Sequence, residues 1–374
     1  MAEGNQRGTT TDDAATSFAS VFIRIILILV LVYIFILSVK LMGDSFKLFG
    51  KEFASAMFRA TSNSIVALMI GVFSTAIVQS SSFTTSSIVG LVASGVLPLG
   101  AAIPMVMGAN IGTSVTNILV SLGSISRGDE FKRAFGGSLL HDFFNICSVI
   151  VLLPLQIYFD IIGKSAALME HIFTGFGGLK FTSPLNVITK PVAHFIINLT
   201  GDSAWISAIV AILLLFIALR YIVKVLKSLV LNKVERFFQR YIFRTPILSF
   251  ALGVALTAIV QSSSITTSII VPLIGAGILQ IEQVYPYLLG ANIGTTLTAF
   301  LASFVTGSPA GVSVAFSHLF FNIYGIAIFW PAKKIPLWLS MKMAELSQKS
   351  KLVPILYILI VFFIIPGSIL FFSD

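Results

Sequence analysis

The sequence has little charge and almost no cysteine. Only 10% of its 374 residues are Asp, Glu, Lys or Arg, whereas 56% are hydrophobic and the mean hydropathy is +0.99. A water-soluble domain must cover itself with polar groups, so this composition excludes one and indicates an integral membrane protein. The single cysteine, Cys147, excludes an intramolecular disulfide. Two long stretches, 60–126 and 245–332, contain no Lys or Arg.

Long apolar runs extend along the whole chain and predict transmembrane helices rather than a β-barrel. Residues 18–41, 204–219 with their flanks, and 352–372 approach or exceed the roughly 20 residues that a helix needs to cross a bilayer. The first run is too long for a signal peptide and lacks a small-residue cleavage site, so we expect a retained anchor. Basic cytoplasmic loops explain the formal net charge of +9, and no nucleic-acid partner is expected.

The chain contains an internal duplication. Residues 71–116 align on 253–298 without a gap, at a constant offset of 182 and with 26 identities in 46 positions. Both blocks carry the motifs QSSSxTT and GANIGT. A second pair of motifs follows, HDFFN at 141–145 and HLFFN at 318–322. Self-similarity of this length indicates two structural repeats.

The apolar arms on either side of each QSSS are too short to cross a bilayer. Two short arms joined by a polar run predict a re-entrant helical hairpin, whose tip must face protein or water because lipid cannot satisfy its backbone. The glycines, asparagine and threonine of GANIGT predict that the next spanning helix is broken. An odd number of crossings in each repeat inverts the second repeat relative to the first. The predicted fold class is all-α, with two inverted-topology repeats, about seven full crossings and two hairpins.

The motifs divide the chain into five parts. We expect a polar N-terminal tail, a first repeat, a connector, a second repeat, and a basic linker with a C-terminal transmembrane helix, over residues 1–17, 18–160, 161–202, 203–331 and 332–374. Each repeat runs from an anchor helix through the hairpin and GANIGT to HxFFN.

The polar hairpin tips predict a binding site. Small residues in membrane helices often serve only close packing, but Gln79 and Gln261 are not small, and inverted repeats would bring the tips together near the membrane centre. Because the repeat cores lack Lys and Arg, an anion there would be bound by hydroxyl groups and helix N-termini. The available hydroxyls belong to Ser80, Ser81, Ser82, Thr84 and Thr85, and to Ser262, Ser263, Ser264, Thr266 and Thr267.

The same tips suit a hard monovalent cation. Hydroxyl oxygens, unwound backbone carbonyls and the amide oxygens of Asn110 and Asn292 are suitable ligands. An anion and a sodium ion bound together neutralise each other, whereas either charge alone is expensive to desolvate in a low-dielectric medium. Coupling between the two ions is therefore expected on electrostatic grounds.

Asp142 is the acid that the sequence places well inside a membrane segment. An intramembrane acid is a functional-site hypothesis by default, and we expect it to bind a cation. A salt bridge to Arg133 is the alternative, but nine residues along a helix span about 13 Å. The equivalent position in the second repeat is Leu319, so the fold does not require the acid.

Each HxFFN motif places a histidine and an asparagine four residues apart, on one helix face. Because each repeat supplies one such histidine, we expect His141 and His318 to form hydrogen bonds between helices rather than to bind a metal. Asn145 and Asn322 are candidate site residues.

With QSSSFTT, QSSSITT, GANIGTSVTN and HDFFN in place, the chain resembles the type II sodium-dependent phosphate cotransporter family and is similar to a compact bacterial member. The likeness covers about residues 62–154 and 245–331. It implies that inorganic phosphate is the substrate and that both QSSS hairpins bind phosphate and sodium together. It also implies that the acid at Asp142 accompanies electrogenic transport.

These expectations define the candidate site. The predicted phosphate ligands are Gln79, Ser80, Ser81, Ser82, Gln261, Ser262, Ser263 and Ser264. The predicted sodium ligands are Ser82, Thr84, Thr85, Asn110, Thr113, Asp142, Asn145, Ser264, Thr266, Thr267, Asn292, Thr295 and Asn322. Sodium is expected as the co-substrate and the only metal, with no organic cofactor.

The predicted function is sodium-coupled import of inorganic phosphate by alternating access. We expect a multi-pass protein of a bacterial plasma membrane that is not an enzyme. Two alternatives stay open. A passive anion channel would carry phosphate without sodium, and a membrane-embedded serine hydrolase would need a serine hydrogen-bonded to a base such as His141 or His318. The sequence leaves the oligomeric state open.

Overall fold

The computed structural model describes residues 9–175, 184–241 and 245–373, with side chains over 23–175, 187–225 and 245–373. Within these ranges the chain forms helices and no strand. The first repeat contains α1 (Thr9–Leu48), α2 (Gly50–Ala60), α3 (Ser64–Val78), α4 (Ser81–Ala93), α5 (Leu99–Gly112), α6 (Ser114–Leu122) and α7 (Gly128–Phe159). The connector contains α8 (Ile161–Gly175) and α9 (Pro184–Leu199). The rest contains α10 (Ala204–Tyr241), α11 (Pro246–Val260), α12 (Ser263–Ser268), α13 (Ile270–Gly275), α14 (Ile281–Thr306), α15 (Pro309–Phe329), α16 (Lys334–Lys349), α17 (Leu352–Leu359), a π-helical turn (Ile360–Ile364) and α18 (Ile365–Phe371).

Seven helical segments of the described chain are long and apolar enough to cross a membrane. They are Ile23–Leu48, Leu99–Leu122, Gly128–Phe159, Ala204–Val225, Ile281–Thr306, Pro309–Phe329 and Leu352–Phe371. Three belong to each predicted repeat and one follows, in agreement with the predicted count. The helix α1 already begins at Thr9, because residues 9–17 contain no Pro or Gly and Asp12 and Asp13 suit a helix N-terminus. Residues 1–8 of the predicted tail lie outside the described residues.

The first hairpin pairs α3 with α4 around a reversal at Gln79 and Ser80. Asn63 caps α3 by accepting a hydrogen bond from the backbone N–H of Ile65 at 2.8 Å. Gln79 ends α3 in the left-handed backbone conformation, with φ 56°. Ser80 then caps α4 by accepting from the backbone N–H of Phe83 at 3.2 Å. Glycine adopts the left-handed conformation at a lower cost in free energy. The glutamine at position 79 therefore carries a backbone penalty that a glycine would not.

The second hairpin repeats this geometry with one difference. Gln261 ends α11 in the left-handed conformation, with φ 59°, and Ser262 caps α12. The return arm is split into α12 and α13, whereas α4 is continuous. Pro272 has no N–H to donate to the carbonyl of Ser268, and its counterpart in the first repeat is Gly90. The substitution of a proline for a glycine therefore accounts for the break.

Each outgoing arm packs closely on the GANIGT helix through three glycines. A Cβ on any of these glycines would overlap backbone atoms of the facing helix. They are Gly71, Gly108 and Gly112 between α3 and α5, and Gly253, Gly290 and Gly294 between α11 and α14. In lipid the hydrophobic effect does not drive helices together, because lipid tails are as apolar as the helix surfaces. Small residues that let two backbones approach closely are therefore a main means of helix association there.

This packing explains why the second repeat departs from the predicted broken helix. In the first repeat, α5 gives way to α6 at Thr113, whose backbone keeps helical angles of φ −58° and ψ −31°. In the second repeat, α14 continues through GANIGT without a break. The glycines of the motif serve close contact between helices, and close contact does not require the helix to unwind.

The connector contributes two helices to the packed body. Ala166 of α8 packs with Val312 and Phe316 of α15. α9 lies against α1, where the Tyr33 hydroxyl donates a hydrogen bond to the backbone carbonyl of Ile188 at 3.2 Å. The anchor helices α1 and α10 pack on each other in one apolar cluster. The chain between the repeats is therefore part of the helical body.

The glycine contacts predict that alanine is tolerated at some glycines and not at others. Gly290→Ala would place a methyl group onto the Phe250 carbonyl, so we expect a several-fold lower yield of folded protein. Gly100→Ala is the matched control, because a Cβ there meets no atom within 4 Å. Size-exclusion chromatography after detergent extraction measures the monodisperse fraction. Equal yields for the two variants would contradict the packing described here.

Candidate functional site

The tips of the two hairpins meet. The Ser82 hydroxyl, at the start of α4, donates a hydrogen bond to the backbone carbonyl of Gln261 at 2.9 Å. Thr298 on α14 donates to Gln261 Oε1 at 3.0 Å, and the Gln261 amide donates to the Ala258 carbonyl at 2.9 Å. Each chain reversal thus lies against the other half of the duplication, which is the surrounding that a tip inside a membrane requires.

A cavity of about 580 Å³ lies between the tips. Its polar wall consists of Gln79, Ser80, Ser82 and Thr116 from the first repeat and Gln261, Ser262 and Ser264 from the second. Phe83 and Phe216 add apolar surface, and the anchor helix α10 contributes Arg220 and Lys224. The tips converge as the inverted-repeat argument predicts.

Six of the eight predicted phosphate ligands line this cavity, and Ser81 and Ser263 do not. These two serines are buried behind the tips. Their backbone carbonyls accept hydrogen bonds from the hydroxyls of Thr85 and Thr267 at 2.8 and 2.7 Å. Because neighbouring residues of a helix point in different directions, three successive serines cannot all face one cavity.

Two of the threonines predicted to bind sodium join the two arms of their hairpins in this structure. The predicted set in the return arms is Thr84, Thr85, Thr266 and Thr267. The Thr75 hydroxyl donates to Thr84 Oγ1 at 2.9 Å, and the hydroxyls of Thr257 and Thr266 share a hydrogen bond at 2.7 Å. A hydroxyl oxygen carries two lone pairs, so these threonines keep acceptor capacity in addition to their structural bonds.

Two adjacent residues of α6 differ in their hydrogen bonding. Asn117 Oδ1 is buried and accepts from Thr267 Oγ1 at 2.9 Å and from Ser268 Oγ at 2.8 Å, which ties the second tip to the first repeat. Thr116 lines the cavity, yet its buried hydroxyl has no partner among the described residues. Its repeat counterpart, Thr298, is bonded to the facing glutamine. A buried hydroxyl without a partner beside a cavity suits a bound solute.

Two histidines link the repeats in the protein core. His141 Nε2 donates to Asn292 Oδ1 at 2.7 Å, and His318 Nε2 donates to Asn110 Oδ1 at 3.4 Å, because an amide oxygen only accepts. Both rings are buried. The prediction that these histidines form hydrogen bonds between helices is confirmed.

The asparagines of this core break its two-fold symmetry. Asn145 Oδ1 accepts from Asn292 Nδ2 at 3.0 Å. The matching oxygen of Asn322 is buried without a partner in the described part of the chain, and the hydroxyl of Thr295 shares that property. Thr113, the counterpart of Thr295, donates to a carbonyl of its own helix at 2.9 Å. Unpartnered buried oxygens in the second repeat are suited to a hard cation.

Asp142 is fully buried on α7 and is bonded to a helix outside both repeats. Tyr357 of α17 donates its hydroxyl to Asp142 Oδ2 at 2.5 Å, while Oδ1 has no partner among the residues described. Arg133, the alternative partner, instead donates through Nε to the Gly275 carbonyl at 2.8 Å. Asp142 is not among the residues that line the cavity, so a cation there would occupy a separate position.

Three sets of residues at the site were missed from the sequence. Thr116 and Thr298 are identical at the offset of 182, which was the available signal. Tyr357 lies outside the duplication and carried no signal. Arg220 and Lys224 correct the expectation that no fixed positive charge lies at the tips. Both lie near the end of the apolar span Ala204–Val225 of α10, and their four-residue spacing puts them on one face.

Paired hairpins of an internal duplication, with a polar cavity where they meet, define a class of multi-pass helical membrane proteins built from two repeats. A family model described as Na+/Pi-cotransporter matches residues 34–182 and 214–341 of this chain. The chain belongs to that family.

Individual relatives agree with this assignment. The chain is 32% identical to Sodium-dependent phosphate transport protein 2B of Pongo abelii, over 92% of this chain and 65% of that protein. The 2B protein of Homo sapiens is also 32% identical, over 92% and 64%, and protein 2A of Ovis aries is 31% identical, over 93% and 67%. The chain thus spans slightly less than two-thirds of the 2B proteins. No solved structure matches the chain.

Adjacent substitutions on α6 should separate support of the fold from solute binding. Asn117→Ala removes the acceptor shared by two hydroxyls, at a cost of about 1–3 kcal/mol, and should lower the melting temperature. Thr116→Val removes a hydroxyl that has no partner among the described residues, so the melting temperature should stay the same or rise slightly. Tryptophan fluorescence during heating in detergent measures both. Equal destabilisation by the two changes would contradict this assignment.

Proposed function

We propose that the protein is a sodium-coupled secondary active transporter that imports inorganic phosphate by alternating access. The observation that carries this proposal is the meeting of two QSSS tips at one polar cavity. The names of the relatives support sodium and phosphate as the coupled ions. We place the protein in the plasma membrane of a bacterium, as a multi-pass protein that works without an organic cofactor.

Phosphate binds between the tips in this proposal. The hydroxyls of Ser80, Ser82 and Thr116 approach it from one repeat and those of Ser262 and Ser264 from the other. The two glutamines differ, because Gln261 is held by Thr298 whereas the exposed Gln79 side chain forms no hydrogen bond within the described chain. Gln79 is therefore the amide that is free to turn toward a bound anion. Ser81 and Ser263 contribute by holding the first turns of the return arms.

Sodium binds to oxygens beside and beneath the phosphate. Ser82 and Ser264 lie on the cavity wall, where one ion would contact the anion directly. The buried asparagines and threonines offer further oxygens, of which those of Asn322 and Thr295 are unpartnered among the described residues. Each cation offsets the cost of taking the phosphate charges out of water, and the phosphate does the same for the cation. The two solutes are therefore expected to bind cooperatively and to cross together.

Asp142 supplies a fixed negative charge for an additional sodium ion. Its unpartnered oxygen and complete burial support that role, because a buried carboxylate needs a positive partner. The second repeat has Leu319 at this position, so one half alone carries the charge. One more cation per cycle than the phosphate charge requires would make import electrogenic.

Catalysis by a serine nucleophile has less support. In the described part of the chain, the serine bonded to a histidine is Ser114, whose hydroxyl lies 3.0 Å from His141 Nδ1. Ser114 is fully buried and is not part of the cavity lining. A nucleophile must reach its substrate, so this pair is better suited to fixing the ring orientation.

Labelled-phosphate uptake into proteoliposomes tests the proposed function. An inward sodium gradient should drive accumulation above equilibrium, because sodium that moves down its gradient carries phosphate with it. Replacing sodium by choline should abolish that accumulation. Flux that persists in choline would indicate a passive channel and would contradict coupling.

The Asp142→Gly variant tests the origin of electrogenicity. We expect sodium-driven uptake to continue while the accompanying current disappears, because the charge that holds the additional cation is gone. Solid-supported membrane electrophysiology measures the current, and labelled phosphate measures the flux in the same preparation. Asp129→Asn is the matched control, an exposed acid on the same helix, and should retain both. A current that survives Asp142→Gly with normal uptake would refute the assignment.

A further inference from the structure

Two cations of the anchor helix face the same cavity as the hairpin tips. Arg220 and Lys224 lie one turn apart on α10, and both contribute to the cavity lining together with Phe216, Leu219 and Val223 of the same helix. Both side chains are exposed, and both stand at the end of the apolar part of α10. The hydroxyl-rich tips and the two cations therefore border one connected space.

Among the described residues, aromatic rings and not acids lie beside these cations. The Arg220 guanidinium lies 6.0 Å from the centre of the Phe216 ring, and Lys224 Nζ lies 5.7 Å from that of Tyr221. Phe216 in turn contacts Phe83 of the first hairpin, with ring centres 6.1 Å apart. The ion pairs of the described chain involve neither cation. Ring contacts orient a cation without cancelling its charge, so the positive field at the cavity remains.

We propose that Arg220 and Lys224 form an anion site at the mouth of the cavity, which concentrates the phosphate oxyanion beside the tips. This inference rests on the proposed function, since it names a second position for the same solute. Exposed cations keep their hydration, so an anion binds beside them weakly and leaves readily. The tips therefore exchange with an anion that is near and still hydrated.

The positive charges of Arg220 and Lys224 explain how this site would concentrate phosphate. Two positive charges that have no acidic partner among the described residues, beside a low-dielectric wall, raise the local concentration of an anion and its rate of arrival. A divalent oxyanion gains about twice as much as a monovalent one from the same field. Arg220 adds geometry, because its planar fork can donate two parallel hydrogen bonds to phosphate oxygens, whereas Lys224 acts as a point charge.

A phospholipid headgroup offers the same oxyanion chemistry as free phosphate. Basic residues at the end of a span often contact anionic lipid, so the test must separate the two sources. The cavity position favours free phosphate, because the same space is lined by Ser80, Ser262 and Gln261 of the tips.

Chemical modification of one engineered cysteine provides the test. Lys224→Cys is prepared in detergent, treated with methanethiosulfonates, and placed in nanodiscs of phosphatidylcholine, which leave both membrane faces open. Equilibrium binding of labelled inorganic phosphate is then measured in sodium buffer. The native cysteine, Cys147, is buried, so wild-type protein treated with the same reagents gives the background. Lys334→Cys, at an exposed lysine that is not part of the cavity lining, is the matched control.

The dissociation constant for phosphate should follow the charge at residue 224. Unmodified Lys224→Cys should bind about two- to fivefold more weakly than wild type, aminoethyl modification should restore binding, ethyl modification should not, and sulfonatoethyl modification should weaken it further. Arg220→Gln should act in the same direction. The differences should shrink when choline chloride is added, because the screening length is about 8 Å at physiological ionic strength and falls with salt. The Lys334→Cys series should stay at the wild-type value throughout.

Two results would overturn the inference. One is a dissociation constant that is the same for all charges at residue 224. The other is a charge effect that appears only when phosphatidylglycerol is included in the nanodiscs, which would assign the cations to lipid headgroups. Failure of the proposed function is a separate outcome: wild-type protein would then lack sodium-driven uptake in proteoliposomes, whatever the nanodisc binding shows.

Discussion

A helix that reverses inside a bilayer leaves backbone groups that lipid cannot satisfy, and this constraint organises the whole protein. Each hairpin meets it by placing its tip against the tip of the other repeat. The hydrogen bond from Ser82 to the backbone carbonyl of Gln261 is the direct contact between the reversals. The polar groups of the tips do not all take part in structural hydrogen bonds, and the remaining groups border the cavity. The same set of residues therefore serves both the fold and the proposed binding of solutes.

The duplication places equivalent groups in equivalent positions, and a few substitutions then make the halves chemically different. The differing pairs include Gly90 with Pro272 and Asp142 with Leu319. They also include the side-chain oxygens of Asn145, which is bonded, and of Asn322, which has no partner among the described residues. The histidine links and the threonine pairs keep the two-fold pattern. The two halves share the same helical scaffold but differ in some of its polar side chains. They therefore offer different binding positions for solutes of different charge.

Elements outside the motifs complete the site. Tyr357, from α17 in the last membrane-spanning segment, donates a hydrogen bond to one oxygen of Asp142, and Arg220 and Lys224 reach the cavity from the anchor helix α10. Phe216 of the anchor helix contacts both Arg220 and Phe83 of the first hairpin. The anchor is therefore connected to the tip by side-chain contacts, and a displacement between them would change the surroundings of the cavity and of its cations together.

Much of this could be predicted because the signals are local or periodic. Hydropathy determined an all-helical membrane protein, and the duplicated motifs determined two hairpins with polar tips. The presence of one such histidine in each repeat, His141 and His318, indicated hydrogen bonds between helices. Three features depend on how the helices rotate and pack, so only the tertiary structure decided them. They are the choice of serines that face the cavity, the absence of a partner for the Thr116 hydroxyl among the described residues, and the hydrogen bond between Tyr357 and Asp142. The continuous α14 belongs to the same group, since the glycines of GANIGT fit either a break or a close contact. Side chains more than a hundred positions apart in the sequence contact each other through tertiary packing, which no local sequence pattern predicts.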